Sequence, residues 1–455
     1  MRKLFGTDGV RGIANKYPMT PEIALKIGIA VGKYFESKNK KSKVVIGKDT
    51  RISSYTFENA LAAGLCSAGA DVIAVGPMPT PAVSHLTRSF TADAGIVISA
   101  SHNPAEHNGI KFFSAEGFKL PDSVEEEIEG LVFSDVDTSD IIGNQIGRVF
   151  RINDAAGRYI EFAKSSARDI SLNGLKIVLD CANGAAYKIS PSIFSELGVE
   201  VIVLNNHPDG MNINLNCGAL YPQEMVDAVK KHKADLGIAL DGDADRAIFC
   251  DENGEIIDGD EILAIAAIEM KKKGILKKDT IVATHMSNPG LELSMKEHSI
   301  KVVRTDVGDR YVMDEMRAHG YNLGGEQSGH IIFAEYSTTG DGTIAALQML
   351  KIMKETGKPL SQLKKCMTKF PQILINVEVK DKNPIEKMPS LLENIKKFEK
   401  ELNGFGRIFV RYSGTQNLMR ILVEGKDAKQ INAIANQLVD IVKRELGTKR
   451  ESGSK

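Results

Sequence analysis

Short apolar runs alternate with amphipathic helical patterns over most of the chain, and this alternation predicts layered α/β domains. The first helical pattern opens at Thr20, a good N-cap, with Pro21 in the first turn. Ile23, Ile27 and Val31 then fall on one face of that helix. Five other runs are continuously apolar, as in parallel strands covered on both faces, and they occupy residues 44–46, 96–98, 177–179, 236–240 and 281–283.

Polar segments of similar character follow three of these predicted strands. They are GKDTR (47–51), DCANG (180–184) and THMSN (284–288). Their starts lie about 100–130 residues apart, a spacing typical of repeated structural units. The sequence therefore predicts three related α/β units.

The last ~85 residues follow a different pattern, in which apolar and polar positions alternate as in a half-exposed antiparallel strand. The alternating positions are Ile373, Ile375, Val377 and Val379. A helix is expected near 391–398, strands at 407–411 and 419–423, and a final helix after an Asp427 N-cap. We expect an α+β domain here, and divide the chain into 1–150, 151–253, 254–369, 370–448 and a tail at 449–455.

Composition narrows the function classes. The chain has 455 residues, 42% of them hydrophobic, and 58 basic against 59 acidic residues give a net charge of -1. Such values exclude disordered classes and argue against a broad surface for nucleic acid or membrane. No apolar run approaches the ~18–20 residues of a membrane span, and no secretory signal is visible. Five scattered cysteines without a CxxC pair indicate reduced thiols, so we expect a cytoplasmic protein.

The densest acidic segment is Asp241-Gly-Asp243-Ala-Asp245, followed by Arg246, between two strand-like runs. One arginine cannot neutralise three carboxylates, and hard oxygen ligands suit Mg²⁺. The spacing to Glu252 also fits an EF-hand, but Arg246 stands where that loop needs glycine and the flanks are strands. A solvated acidic turn remains the simpler alternative.

A second candidate is Ser101, which follows the strand at 96–98 in a turn set by Asn103-Pro104. It is either a nucleophile or an ordinary turn serine. No G-x-S-x-G elbow surrounds it, no third partner of a triad is visible, and the adjacent His102 is not expected to turn back on it. Lys111, farther along, is a proton shuttle, a phosphate contact or a solvated surface group.

Three glycine-rich segments complete the set. In GGEQSGH (324–330), Glu326, Ser328 and His330 offer donors and acceptors for sugar hydroxyls. RYSGT (411–415), with Arg420, offers an anion nest with two arginines. FGTDGVRG (5–12) is neither a Walker loop nor a Rossmann fingerprint. Each is more often structural when taken alone, but together they describe a cleft for a phosphorylated polyol.

These motifs, in this order, resemble those of the α-D-phosphohexomutase superfamily from residue 5 to about residue 447. FGTDGVRG, GGEQSGH and NINLNCG (212–218) are similar to its amino-sugar branch rather than to its glucose/mannose branch. The other matching segments are GKDTR, ISASHNP (98–104), NGIKFF (108–113), DCANGA (180–185), DGDADR (241–246), VGDRY (307–311) and RYSGTQNLMR (411–420).

The resemblance implies three related α/β units with mixed sheets and a smaller C-terminal α+β domain, heart-shaped around a central cleft. It implies phosphorylation of Ser101, which would hold one Mg²⁺ with Asp241, Asp243 and Asp245. Arg11, Lys111 and His330 match residues of the reacting centre. Substrate-binding residues implied by the match are Arg246, Glu326, Ser328, Arg411, Ser413, Gly414, Thr415 and Arg420.

The reaction implied is exchange of phosphate between O6 and O1 of a hexosamine, supplying UDP-N-acetylglucosamine synthesis. A hexosamine 1,6-bisphosphate would be intermediate and activator, and Lys111 or His330 the general base. The expected partner is a small sugar phosphate, without nucleic acid or membrane, and a homodimer is left open. The alternatives are a glucose or mannose phosphate substrate, a non-catalytic sugar-phosphate sensor and a Ca²⁺-binding structural module.

Overall fold

The computed structural model describes residues 4–6, 8–36, 40–402, 406–412 and 417–446. The chain forms two compact bodies. The larger body comprises Met1–Ser287 and His298–Cys366, and the C-terminal body comprises Asn288–Glu297 and Met367–Lys455. Within the described ranges, no helix has the length and apolar character required to span a lipid bilayer.

The first α/β domain is built on a mixed sheet of six strands. The strands are β1 (Val10–Ile13), β2 (Lys43–Lys48), β3 (Asp71–Pro77), β4 (Ala94–Ile98), β5 (His107–Ser114) and β6 (Val149–Arg151). The helices are α1 (Pro21–Tyr34), α2 (Ile52–Ser67), α3 (Thr80–Ser89) and α4 (Asp122–Val132). The strand order is β1-β5-β4-β2-β3-β6.

The second domain has five strands in the order β11-β10-β9-β7-β8. They are β7 (Lys176–Asp180), β8 (Glu200–Leu204), β9 (Leu236–Leu240), β10 (Ala247–Asp251) and β11 (Ile256–Ile257). Its helices are α5 (Ala155–Ser165), α6 (Ile189–Glu196) and α7 (Gln223–His232).

The third domain has four strands in the order β13-β12-β14-β15. They are β12 (Thr280–Thr284), β13 (Lys301–Thr305), β14 (Leu323–Gly325) and β15 (Ile331–Phe333). The helices of this part of the chain are α8 (Gly259–Lys272), α9 (Pro289–Glu297), α10 (Asp309–His319), α11 (Gly342–Thr356) and α12 (Leu360–Leu363). Of these, α9 belongs to the C-terminal body.

One four-strand arrangement recurs in all three sheets. In the first, β2 lies between β3 and β4, parallel to both, and β5 runs antiparallel beside β4. The second sheet repeats this with β7, β8, β9 and β10, and the third with β12, β13, β14 and β15. The prediction of three related α/β units is therefore confirmed.

The predicted buried strands are confirmed as β2, β4, β7, β9 and β12. Each lies between parallel neighbours or beside one, and β4, β9 and β12 are buried along their whole length. Helix α1 begins as predicted, because the Thr20 side chain accepts a hydrogen bond from the Ile23 backbone N–H. Its apolar face packs into the core of the first domain through Ile27 and Val31.

The C-terminal body has its own sheet and core. Its remaining elements are β16 (Gln372–Glu378), α13 (Pro389–Glu401), β17 (Gly406–Tyr412), β18 (Leu418–Gly425) and α14 (Ala428–Leu446). Both β16 and β17 pair antiparallel with β18. Asp427 caps α14, since its Oδ1 accepts a hydrogen bond from the Lys429 backbone N–H at 2.7 Å. The predicted α+β character of this region is confirmed.

We predict that Leu438→Ala selectively destabilises the C-terminal body. Leu438 is fully buried in its core, and removing a buried leucine side chain costs about 2–5 kcal/mol. Hydrogen exchange of the full chain, resolved by peptide, should show a lower opening free energy in α14 and no change in α1.

The matched control is Gln437→Ala on the same helix, where the side chain is exposed. It should change the opening free energy by less than about 0.5 kcal/mol. Equal exchange in the two variants would contradict the assignment of Leu438 to the core.

Candidate active site

Ser101 lies in the loop between β4 and β5, and its side chain is directed at the acidic turn of the second domain. Its Oγ donates a hydrogen bond to Asp241 Oδ2 at 2.6 Å. Its backbone has φ +52°, in the left-handed region that residues with a Cβ rarely adopt. Such backbone strain persists where the surrounding structure determines it, as it often does at functional sites.

His102 corrects one expectation from the sequence. Its Nδ1 lies 3.2 Å from Ser101 Oγ, so the ring does turn back on the serine. The left-handed backbone of Ser101 brings the two adjacent side chains to the same side of the loop. Arg246 Nη1 donates to the same nitrogen at 3.1 Å. Burial, and then Arg246 and Arg11, lower the pKa of His102 to about 4, so this ring is neutral at pH 7.

The acidic turn joins the antiparallel strands β9 and β10, so it is not the loop of an EF-hand. Asp241, Asp243 and Asp245 are all buried, and each offers an oxygen within 4.8 Å of the other two. The alternative of a solvated acidic turn is therefore wrong. Burial, then repulsion from Asp245 and Asp243, raises the pKa of Asp241 well above its usual value.

The donor set of this turn fits a hard divalent cation. Asp243 Oδ1 and Asp245 Oδ1 are buried and accept no hydrogen bond from any residue the structure describes. Arg246 Nε and His330 Nδ1 approach Asp245 Oδ1 only to 3.8 Å. Buried carboxylate oxygens are costly without a donor or a cation, and oxygen-only ligand sets favour Mg²⁺.

Lys111 is the nearest permanent cation to the acidic turn. It is buried, and its Nζ donates to Asp243 Oδ2 at 2.8 Å and to Asp245 Oδ2 at 3.1 Å. Burial alone would lower the pKa of this ammonium, but Asp243, Asp245 and Asp8 raise it well above its usual value. Lys111 is therefore a fixed positive charge here and not a solvated surface group.

Asp8, from the first glycine-rich segment, connects several cations. It accepts a hydrogen bond from Arg11 and one from Lys119 at 2.5 Å, and Lys111 Nζ lies 3.4 Å away. Burial opposes the charge of Asp8, but Lys111, Lys119 and Arg11 hold its pKa well below the usual value. Arg11 thus joins the site through Asp8.

The third domain contributes His330 from the turn between β14 and β15. Its Nε2 lies 3.2 Å from Asp309 Oδ2. In the neutral ring with its proton on Nδ1, the same nitrogen accepts a hydrogen bond from the Gly340 N–H at 2.9 Å. Lys119 donates to the same Asp309 carboxylate at 2.5 Å. Burial would lower the pKa of His330, but Asp309 and Asp245 raise it, so the charged ring is favoured relative to a free histidine.

The other predicted residues of the third domain lie in the same turn as His330. Glu326 is buried, whereas Ser328 is exposed. Glu326 is one of three carboxylates that act on Arg246. Burial opposes the positive charge of Arg246, but Asp245, Asp241 and Glu326 together raise its pKa.

Arg411 and Arg420 form a pair within the C-terminal body. They face each other in the register of β17 and β18. Burial, and then repulsion from Arg420, lowers the pKa of Arg411. An anion between two such guanidinium groups would relieve that repulsion. Ser413, Gly414 and Thr415 lie outside the described residues.

Sequence reasoning missed three of the charged residues that complete this site. Asp8 and Asp309 stand inside FGTDGVRG and VGDRY, and Lys119 follows NGIKFF. A polar residue within a glycine-containing motif was the available signal. Their role depends on partners more than 100 positions away, such as the 190 residues between Lys119 and Asp309.

Comparison with known families accounts for this arrangement. Four phosphoglucomutase/phosphomannomutase domain families match in order: α/β/α domain I at 2–138, domain II at 157–254, domain III at 258–370 and the C-terminal domain at 374–441.

Curated relatives cover nearly the whole chain. The phosphoglucosamine mutase of Pelobacter propionicus is 54% identical over 453 residues, which are 99% of this chain and 100% of the relative. That of Syntrophotalea carbinolica is 54% identical over 451 residues, 98% of this chain and 99% of the relative.

Solved structures share the fold at low identity. A phosphoglucomutase/phosphomannomutase family protein of Burkholderia thailandensis aligns with a TM-score of 0.78 at 23% identity, covering 96% of this chain and 97% of that one. The N-acetylphosphoglucosamine mutase of Aspergillus fumigatus, solved with GlcNAc-6P and magnesium, aligns with a TM-score of 0.69 at 18% identity, covering 97% and 96%. The chain therefore belongs to the phosphoglucomutase/phosphomannomutase family, the α-D-phosphohexomutases, and its curated relatives are phosphoglucosamine mutases.

Proposed function

We propose that this chain is an isomerase that interconverts glucosamine 6-phosphate and glucosamine 1-phosphate, with Ser101 as the carrier of the phosphoryl group. The observation that carries the proposal is the 2.6 Å contact between Ser101 Oγ and Asp241 Oδ2. It sets a hydroxyl against a buried carboxylate triad with the donor set of a metal site. Relatives of 54% identity support the choice of an amino-sugar phosphate.

The proposed reaction consists of two phosphoryl transfers. In the first, the bond from phosphorus to Ser101 Oγ breaks, a bond to O1 or O6 of the sugar monophosphate forms, and the sugar hydroxyl loses its proton to a base. The product is a hexosamine 1,6-bisphosphate. The departing Ser101 oxygen takes up a proton. After the bisphosphate has reoriented in the site, Ser101 loses this proton again and a bond from its Oγ to the other phosphorus forms. The bond from that phosphorus to its sugar oxygen breaks, and the sugar oxygen takes up a proton. The same bisphosphate would phosphorylate unmodified enzyme and thus act as activator.

Charge stabilisation follows from the fixed cations around the serine. Phosphoryl transfer is catalysed mainly by positioning and by compensation of the charge on the phosphoryl oxygens. Lys111, Arg11 and Arg246 supply positive charge on the side of the triad. Asp241, Asp243 and Asp245 would hold Mg²⁺, which when bound neutralises part of the phosphoryl charge.

Two residues remain candidates for the proton transfer, and we favour His330. The pKa of Lys111 is raised well above a value that already exceeds neutral pH, which suits a permanent cation. The pKa of His330 is raised from an ordinary value near neutrality, so its neutral ring is a base that takes the sugar proton and the charged ring returns it.

Recognition of the sugar and of its second phosphate falls to the remaining residues. We assign Glu326 and Ser328 to the hydroxyl and amino groups. We assign the non-reacting phosphate to Arg411 and Arg420 together with Ser413, Gly414 and Thr415.

The setting we propose is the cytoplasm, with a small sugar phosphate as partner and without nucleic acid. The five cysteines are free thiols, as proteins of reducing compartments keep them. We also propose that the protein forms a homodimer.

We predict that Ser101→Ala lowers mutase kcat by at least about 1,000-fold, because the substitution removes the hydroxyl that contacts Asp241 and is the proposed carrier of the phosphate. Intact mass after incubation with glucose 1,6-bisphosphate should show one added phosphate on the wild type and none on the variant. The control is Ser134→Ala, at an exposed position of the same domain. A variant at Ser101 that keeps full activity would remove the nucleophile assignment.

We predict that Asp243→Asn weakens binding of Mn²⁺, used as a spectroscopic probe for Mg²⁺, by at least about tenfold. The amide keeps the shape of the side chain but loses the charge that attracts the cation. Electron paramagnetic resonance measures the free ion, independently of activity. Asp227→Asn, at an exposed site of the second domain, should bind Mn²⁺ like the wild type, and equal binding by both variants would exclude the triad.

The substrate class is tested against the alternative of a phosphomannomutase/phosphoglucomutase. We expect kcat/KM to be larger for glucosamine 6-phosphate than for mannose 6-phosphate or glucose 6-phosphate, since the curated relatives are phosphoglucosamine mutases. A larger kcat/KM for either hexose phosphate would select the alternative.

A further inference from the structure

We propose that Asn214 is a positioning residue that directs Ser101 at the acidic triad. The inference rests on the proposed function, since it concerns the aim of the phosphate carrier. Asn214 belongs to NINLNCG (212–218), a segment of the second domain that contacts the serine loop of the first. A positioning role for Asn214 would explain why NINLNCG lies beside the proposed site of phosphoryl transfer, although none of the side chains of this motif reacts.

The side-chain amide of Asn214 holds two peptide carbonyls of the serine loop. Its Nδ2 donates to Ser101 O at 2.9 Å and to Asn103 O at 3.1 Å. Because both partners are acceptors, only the nitrogen of the amide satisfies them. The two contacts span the turn that presents the Ser101 hydroxyl.

Arg51, within the first domain, donates hydrogen bonds to the same two carbonyls. Its Nη2 donates to Ser101 O at 3.0 Å and to Asn103 O at 2.8 Å, and its Nη1 donates to Pro104 O. Asp49 fixes the guanidinium through its Nε at 2.8 Å. The serine loop thus has one anchor within its own domain and one, Asn214, from the domain that carries the metal ligands.

The left-handed backbone of Ser101 depends on the hydrogen bonds from Arg51 and Asn214. A residue with a Cβ in this region costs of order 1–3 kcal/mol and stays there only if its surroundings impose it. Holding the carbonyl of Ser101 fixes the peptide plane that follows its Cα. This in turn fixes the direction of the Cα–Cβ bond and the 2.6 Å approach of Oγ to Asp241.

Asn214 is itself fixed against the acidic turn. Its backbone N–H donates to Ala182 O at 2.9 Å, and its side chain is buried. The backbone of Gly242, between the metal ligands Asp241 and Asp243, lies so close that a Cβ there would be 2.6 Å from Ser101 O and 2.8 Å from Asn214 Nδ2. The side-chain amide of Asn214 therefore holds the serine loop in a fixed position relative to the acidic turn.

The test compares Asn214→Asp with Asn216→Asp. Both asparagines have a positive φ in the same motif, but Asn216 is exposed. In the first variant a carboxylate oxygen replaces the donor and faces two carbonyl oxygens. We expect kcat to fall about 100-fold, as for a misplaced reacting group, with little change in KM because Asn214 is assigned no contact with the sugar.

In Asn214→Asp, phosphate incorporation at Ser101 from glucose 1,6-bisphosphate should slow by the same factor. The melting temperature of this variant should stay well above the assay temperature. Asn216→Asp should match the wild type in kcat, KM and phosphate incorporation.

Equal kcat in the two variants would overturn the proposal, and so would a rise in KM that accounts for the whole loss. If Asn214→Asp does not fold, Asn214→Ala removes the donor without adding charge, and the same loss of kcat is expected. If neither variant folds, Asn214 serves the folding of its domain and the proposal is overturned. A wild type without mutase activity or phosphate on Ser101 would overturn the proposed function, and this inference with it.

Discussion

Carboxylates buried side by side repel one another, and a fold can hold them only if cations are buried against them. This constraint shapes the larger body of the protein. Asp241, Asp243 and Asp245 are drawn together in one turn, and Lys111 lies against two of them from another domain. One oxygen of Asp243 and one of Asp245 accept no hydrogen bond from the described side chains, so these side chains leave part of the negative charge uncompensated. That remaining negative charge is the physical basis of the proposed divalent-cation site.

The repeated four-strand order explains how these groups meet. In each α/β domain the connection between the third and fourth strands of the common arrangement carries candidate functional residues. Between β4 and β5 it carries Ser101, between β9 and β10 the acidic triad, and between β14 and β15 the Glu326–His330 turn. Equivalent places in three related units thus hold the proposed nucleophile, the proposed metal ligands and the proposed proton-transfer group.

Local sequence patterns were sufficient for the elements and for the centres of the motifs. Continuous apolar runs identified β2, β4, β7, β9 and β12 because burial on both faces leaves a direct trace in composition. The acidic triad was found because carboxylates that can share a cation cluster within a few residues. The residues around Ser101 left a nucleophile and an ordinary turn serine open, and its role, which the family resemblance supplied, stays a prediction. The division at 1–150, 151–253, 254–369 and 370–448 stays a prediction.

What the sequence did not provide was long-range pairing and backbone conformation. Asn214 and Ser101 are 113 positions apart, and no periodicity links them. His102 was misjudged because the left-handed φ of Ser101 cannot be read from a short polar segment that has no glycine at that position.

The pairing of Lys119 with Asp309 has a consequence during synthesis. Their separation of 190 residues means that a ribosome needs about 10 to 40 seconds to travel from one to the other. Asp243 and Asp245 are synthesised within that interval, 124 and 126 residues after Lys119, and until then Asp8 is the partner of Lys111 and Lys119 among these carboxylates. The emerging chain is thus more basic around Lys111 and Lys119 than the finished enzyme, and the second and third domains add the balancing carboxylates as they leave the ribosome.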